Sequence, residues 1–136
     1  MPMSAAVDPL ARPLLSSIFL WGGYQAVRKP EGLAQRASGV LDRVTSAVED
    51  AGVPADSATL VQVNGAVQVA AGSMLALGVA PRLAATVLAA TLVPTTIGGH
   101  SFWEEEDPQV RSLQQVQFAK NLSLLGGLLF AATRPR

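Results

Sequence analysis

The chain has 136 residues, ten basic and ten acidic, with no net charge, one histidine and no cysteine. The missing cysteine excludes a disulfide relay, a thiolate nucleophile and an iron–sulfur ligand set, and one histidine excludes a multi-histidine haem or zinc site within one subunit. Balanced charge, few aromatics and no basic tract argue against a nucleic-acid partner, while a composition 49% hydrophobic and only 15% charged points towards a membrane.

The first apolar segment runs from 9 to 27. No charged n-region or Ala-x-Ala site precedes it, so it is expected to be retained as a span. A polar insert follows over 28–57, carrying Arg28, Lys29, Glu31, Arg36, Asp42, Arg43, Glu49, Asp50 and Asp56. This insert keeps the mean hydropathy down to +0.33. Within it Leu33, Val40, Leu41, Val44, Ala47 and Val48 recur at near-helical spacing, which predicts an amphipathic helix at the membrane interface or over the bundle mouth. Gly52 and Pro54 end it, and Asp56 or Ser57 can cap the next helix.

The second span covers 58–80 and the third 82–99, joined by the tight turn Leu77-Gly78-Val79-Ala80-Pro81-Arg82. Pro94 removes a backbone bond from the third span and should kink it. The fourth span covers 110–133. Each span is about 18–24 residues, or roughly 27–36 Å, enough to cross a bilayer. Uniformly apolar segments of that length are helices in lipid, not barrel strands. The expected fold is therefore all-α: an integral membrane four-helix bundle, one domain over 1–136, with an amphipathic polar insert between helices 1 and 2. A soluble bundle with an unusually apolar core is the alternative.

Four spans place both termini and the short turn on one side, with Arg12, Arg82, Arg134 and Arg136 against Asp8. The other side spreads Arg28, Lys29, Arg36, Arg43 and Arg111 among nine acidic residues, including Glu104 to Asp107. Density of positive charge near the span ends favours cytoplasmic termini.

Lys120 stands out inside the last span. An ammonium facing lipid at a bilayer centre costs about 3 kcal/mol or more, so it is expected to face protein or a wet cavity, or to snorkel to the acidic surface. Asn64 and Gln68 share a face of the second span at i, i+4. Gln117, Lys120, Leu124 and Gly127 form a stripe on the fourth, with Gln114 and Asn121 beside it. Thr95 and Thr96 follow Pro94, His100 closes the third span, and Tyr24 and Gln25 end the first. These groups fall in the half of the bundle that faces the acidic loop, which predicts a polar half-cavity there. For Asn64, Gln68 and the threonines, interhelical hydrogen bonding is an equal reading. His100 reads as a lining or proton-exchanging residue, and no metal site is assigned. Trp21, Tyr24, Phe102 and Trp103 fit an interfacial aromatic belt.

Four segments then carry a resemblance: Arg12-Pro-Leu-Leu…Phe19-Leu-Trp-Gly22-Gly23; Gly72-x-x-Leu-Ala-Leu-Gly78-x-x-x-Arg82; His100-x-Phe102-Trp103; and Lys120-Asn121-Leu-x-Leu-Leu-Gly126-Gly127. In this order and spacing the chain resembles the DoxX family of small four-helix bacterial membrane proteins, of actinobacterial type. The stretch 31–57 departs from its shortest members. The resemblance implies a bacterial plasma (inner) membrane location, multi-pass. Some relatives are subunits of a thiosulfate:quinone oxidoreductase, and actinobacterial members are linked with superoxide dismutase and a sulfurtransferase. It marks Arg12, His100, Lys120 and Asn121 as functional positions.

The expected function is a membrane subunit, catalytic or accessory, of a redox or oxidative-stress-defence system. It would bind a quinone or another small molecule through Lys120, Asn121, Gln117, His100, Asn64, Gln68, Thr95, Tyr24 and Arg12. Membrane lipid, soluble redox proteins or a second copy of the chain are the expected partners. A non-enzymatic anchor recruiting soluble partners, or a lipid or small-solute carrier, are the competing readings.

Overall fold

The computed structural model describes residues 3–36, 38–52, 56–99 and 102–134. Among these there is no strand. Six helices follow one another: α1 (Met3–Arg28), α2 (Pro30–Arg36), α3 (Ser38–Asp50), α4 (Ser57–Leu77), α5 (Pro81–Gly99) and α6 (Pro108–Thr133), with a 3-10 turn, Phe102–Glu104, before α6. The four long helices coincide with the four apolar segments of the sequence. The insert forms two helices rather than one, and both pack on α4 and α5 near the ends that the insert joins. α1 continues through Pro9 and Pro13 and α5 through Pro94 without interruption.

The helix ends follow from local chemistry. Asp56 caps α4 with Oδ1 accepting from the Thr59 N–H at 2.7 Å, and Asp107 caps α6 by accepting from the Gln109 N–H at 2.9 Å, with Pro108 in the first turn. α4 ends at Gly78, whose φ of 74° is left-handed. The Gly78 N–H donates to Leu75 O, and the Val79 N–H donates to Met74 O at 2.8 Å. These bonds satisfy carbonyls that the helix end would otherwise leave open. Ala80 also has positive φ, 43°, before Pro81 restarts the chain as α5.

The bundle is built in the order α1–α4–α5–α6, with α1 packed mainly on α4 and α5 between α4 and α6. Its dry core comprises Phe19, Ala71, Leu75, Ala84, Ala85, Leu88, Leu92 and Leu128. Most of it lies towards the end of the bundle that carries the termini and the α4–α5 turn, called here the terminal end; the opposite end is the insert end. The outside is apolar as well: Leu10, Leu14, Trp21, Val63, Leu77, Leu83, Val93, Leu113, Val116, Leu122 and Phe130 are all exposed. A surface this rich in bare aliphatic side chains suits lipid, not water. α4 and α5 are each long and apolar enough to cross a membrane. The protein is an all-α membrane protein.

α1 and α4 cross in backbone contact. A Cβ added at Gly23 would stand 2.6 Å from Gly65 O, and one at Gly65 would stand 2.7 Å from both Gly23 O and the Ala26 Cβ. These neighbours are backbone or a short side chain and cannot swing aside. Gly65→Ala should therefore destabilise the bundle by about 1–3 kcal/mol, the usual cost of overpacking. Gly126→Ala, where an added Cβ meets nothing within 4 Å, should be neutral. Unfolding in mixed micelles compares the two.

The bonds from Thr59 hold the Asp56 carboxyl below the usual aspartate range. A lowered folded value stabilises the start of α4 fully above the unfolded pKa, and the effect is lost as pH falls through the folded value. An NMR titration of the Asp56 carboxyl should have its midpoint below that of aspartate in an unstructured peptide. A midpoint at or above it would rule out the capping role.

Candidate functional site

Towards the insert end the core turns polar. On α5, Thr91, Thr95 and Thr96 each anchor their hydroxyl hydrogen on their own helix, donating to Leu88 O, Thr91 O and Leu92 O. Their oxygens remain free to accept. Asn64 Nδ2 donates to Thr95 Oγ1 at 3.1 Å, and Gln68 Nε2 reaches both Thr95 Oγ1 at 3.3 Å and Thr91 Oγ1 at 3.4 Å. From the other side Asn121 Nδ2 donates to Thr96 Oγ1 at 3.0 Å. Gln68, Thr96 and Asn121 are buried. Three threonines on α5 thus tie α4 and α6 to the central helix. For Asn64, Gln68 and Thr95 the structure shows interhelical hydrogen bonding. Thr91, which sequence reasoning passed over, belongs to the same group. Its position one turn before Thr95, on the same face of α5, was the available signal.

Lys120 and Gln117 lie beside this belt but outside it. Lys120 Nζ donates to Gln117 Oε1 at 2.5 Å, a bond within one helix. Their surroundings follow from helix geometry. Gly127 lies two turns further along α6, so it shares the Lys120 face, and a Cβ there would meet Leu15 of α1 at 3.6 Å. This is the face of α6 that looks at α1. On α1, Gly22 is likewise two turns beyond Leu15, level with Lys120, yet an added Cβ at Gly22 meets nothing within 4 Å. Along the same side of α6, Leu124, Gly127 and Ala131 are half-buried, whereas Leu113 is 67% exposed and Gln117 is exposed. α1 and α6 therefore touch towards the terminal end and part towards the insert end. Lys120 and Gln117 on α6 and Gly22 on α1 thus stand at about one level, on the sides of their helices that meet further down at Gly127 and Leu15.

Just beyond Lys120, Phe118 packs edge-on against Phe102 and Trp103 at centroid distances of 5.4 and 5.9 Å. This fastens the segment after α5 to α6. Glu104 to Asp107 then run along the surface, with Asp107 serving as the α6 cap.

Two of the other expected site residues, Tyr24 and Arg12, do not join this group. Tyr24 lies on the side of α1 opposite Leu15, exposed, with its hydroxyl accepting from Arg28 Nη1 at 2.8 Å. Arg12 is at the terminal end, ion-paired to Asp8 at 3.5 Å, with Nη1 against Gly78. Helix phase excludes Tyr24, which is level with Gly22 but turned away from α6, and depth excludes Arg12, which precedes Leu15 on the way to the terminal end. His100 lies outside the described residues. Among the described residues, no cluster of three His, Cys, Asp or Glu side chains is placed to hold a metal ion.

A family model described as DoxX matches residues 8–101, more than half of the chain. The chain belongs to the DoxX family. Membership agrees with the membrane fold and ties the chain to a membrane family linked to redox or stress. The match spans α1 to α5 and includes the insert, but it ends before α6, so Lys120 and Asn121 stand on geometry and not on the match. No curated protein and no solved structure matches the chain.

Gln68 is buried and bridges two threonines, so Gln68→Leu should cost about 0.6–2 kcal/mol, the range for interhelical bonds in membranes. Gln117→Leu, at an exposed position, should change stability by less than about 0.5 kcal/mol. A double-mutant cycle of Gln68→Leu with Thr95→Val, read by unfolding in micelles, isolates the α4–α5 bond.

Proposed function

We propose that this DoxX protein is a multi-pass subunit of a redox or oxidative-stress-defence system in a bacterial plasma membrane. It holds a small lipid-soluble molecule of quinone type in a cleft between α1 and α6, at the level of Gly22 and Lys120. The observation that carries the reading is Lys120: a cation within an apolar helix, on the side of α6 that turns towards α1, whose hydrogen-bond partner is one amide of its own helix. A charge at that depth is costly, and the α4–α5–α6 belt holds together without it. An ammonium and an amide between aliphatic walls suit a flat, apolar ring bearing carbonyl oxygens. Of the chemistry involved, the quinone would supply electron transfer, and Lys120 would hold and orient one of its oxygens, favouring negative charge there. Asn121, fixed by Thr96 on the adjoining face, sets the orientation of this stretch of α6. The cleft opens sideways, so the ligand enters from the bilayer.

In this reading both termini face the cytoplasm, where the arginines of the terminal end lie, and soluble redox proteins or a second copy of the chain complete the assembly. A second reading has support from the exposed charged residues of α3, Asp42, Arg43, Glu49 and Asp50: an anchor that recruits soluble partners through the insert.

Titrating the purified protein with a short-chain benzoquinone and following fluorescence of Trp21, next to Gly22, tests the cleft. Wild type should be quenched saturably. Lys120→Met should weaken binding about tenfold, the loss of one charge-assisted bond, with unchanged helicity. Equal quenching of the two would remove the ligand reading, and loss of partner recruitment on deleting residues 33–53 would favour the anchor.

A further inference from the structure

At the terminal end, three arginines surround the α4–α5 turn with one carboxylate among them. Asp8 is shared: its Oδ2 lies 3.5 Å from Arg12 Nη2, and its Oδ1 pairs with Arg134 Nη1. Arg12 reaches the turn itself, its Nη1 lying 2.8 Å from where a Gly78 Cβ would be. Arg82, four residues after Gly78, donates its Nε–H to Ala132 O at 3.2 Å, closing one of the open carbonyls at the end of α6. Among the described residues no carboxylate lies in ion-pair range of Arg82, and both of its Nη groups keep their donors. Among the described side chains of this end, three guanidiniums stand against one carboxylate, an excess of two positive charges. Beside them the surface is bare and apolar: Leu77 is 79% exposed and Phe130 78%, with Leu83 and Leu14 also exposed.

We infer that this end of the bundle is a binding site for an anionic phospholipid. The lipid phosphate bridges Arg82 and the Arg12–Arg134 pair, and the acyl chains lie along Leu77, Leu83 and Phe130. Arginine suits this because its planar fork binds phosphate oxygens in pairs and it is weakly hydrated. The apolar strip beside it distinguishes a lipid from a free phosphate, which would have no use for that surface. Cationic side chains at a membrane surface each favour anionic lipid by about 1 kcal/mol, a factor of about five. The site is at the opposite end from the Lys120 cleft and does not depend on it.

Native mass spectrometry of the full chain, released from micelles containing equal phosphatidylglycerol and phosphatidylcholine, is the test. Wild type should retain phosphatidylglycerol preferentially, and Arg82→Gln should lower that preference about fivefold. Arg82→Lys, which keeps the charge but not the fork, should fall between them. Arg111→Gln, at the insert end, should match wild type and controls for loss of charge alone. Because Arg82 also closes α6, circular dichroism and a thermal melt of each variant accompany the measurement. If Arg82→Gln unfolds, phosphatidylglycerol should instead raise the melting temperature of wild type, and phosphatidylcholine should not. Equal retention or equal stabilisation by the two lipids would overturn the proposal. So would an unchanged preference in folded Arg82→Gln, or displacement of the lipid by millimolar inorganic phosphate.

Discussion

The rest of the structure depends on the backbone contact between Gly23 and Gly65. With no side chain on either helix, α1 and α4 approach until each glycine carbonyl occupies the space that the other's Cβ would need. In a bilayer there is no hydrophobic drive to bring helices together, so such close van der Waals contact is a main source of association. It also has a direction. Gly23 holds α1 against α4 at the level of the polar belt, and its neighbour Gly22, turned about 100° round the helix, is left facing the gap towards α6. The two adjacent glycines thus act differently, one closing a contact and one with no neighbour within 4 Å of where its Cβ would be.

Because α1 is committed to α4 near the insert end, closure of the bundle falls to the terminal end. There Leu15 meets Gly127, and Asp8 links α1 to the arginine after α6. The hydrogen-bonded belt serves α4, α5 and α6 and leaves α1 out. Its threonines face two ways: each hydroxyl proton satisfies a carbonyl of its own helix and the oxygen accepts from an amide on a neighbour. Pro94 belongs to the same stretch of α5. It cannot donate to the carbonyl one turn earlier, and the helix stays continuous where three threonines add local bonds on either side.

The sequence made the four long helices and several of their ends legible because these depend on near neighbours. Asp56 and Asp107 precede apolar helices, and Gly78 stands before a proline-led restart, so each boundary was written within a few residues. The pairing of polar groups was legible in part. Asn64 and Gln68 share a face by spacing alone, but their acceptors sit on α5, 23 to 31 positions away, at Thr91 and Thr95, and nothing in the spacing of α4 selects them. The spread of site residues was less legible. Tyr24 and Arg12 lie on α1 within two or three turns of Gly22, yet one faces outwards and the other lies below the cleft. Helix phase and depth relative to a partner separate them, and both are fixed only when the helices dock.

By itself, the sequence determined that the chain is helical, that it belongs in a membrane, and that Lys120 must find polar company, since hydropathy, span length and the cost of a buried charge are properties of the segment. Tertiary structure alone decided which face of α6 meets α1, that the amides are used as ties between helices, and that the arginines gather around one turn. Those outcomes depend on which glycine of a pair makes the close crossing and on how far two helices diverge beyond it, and neither quantity is contained in the periodicity of a single helix.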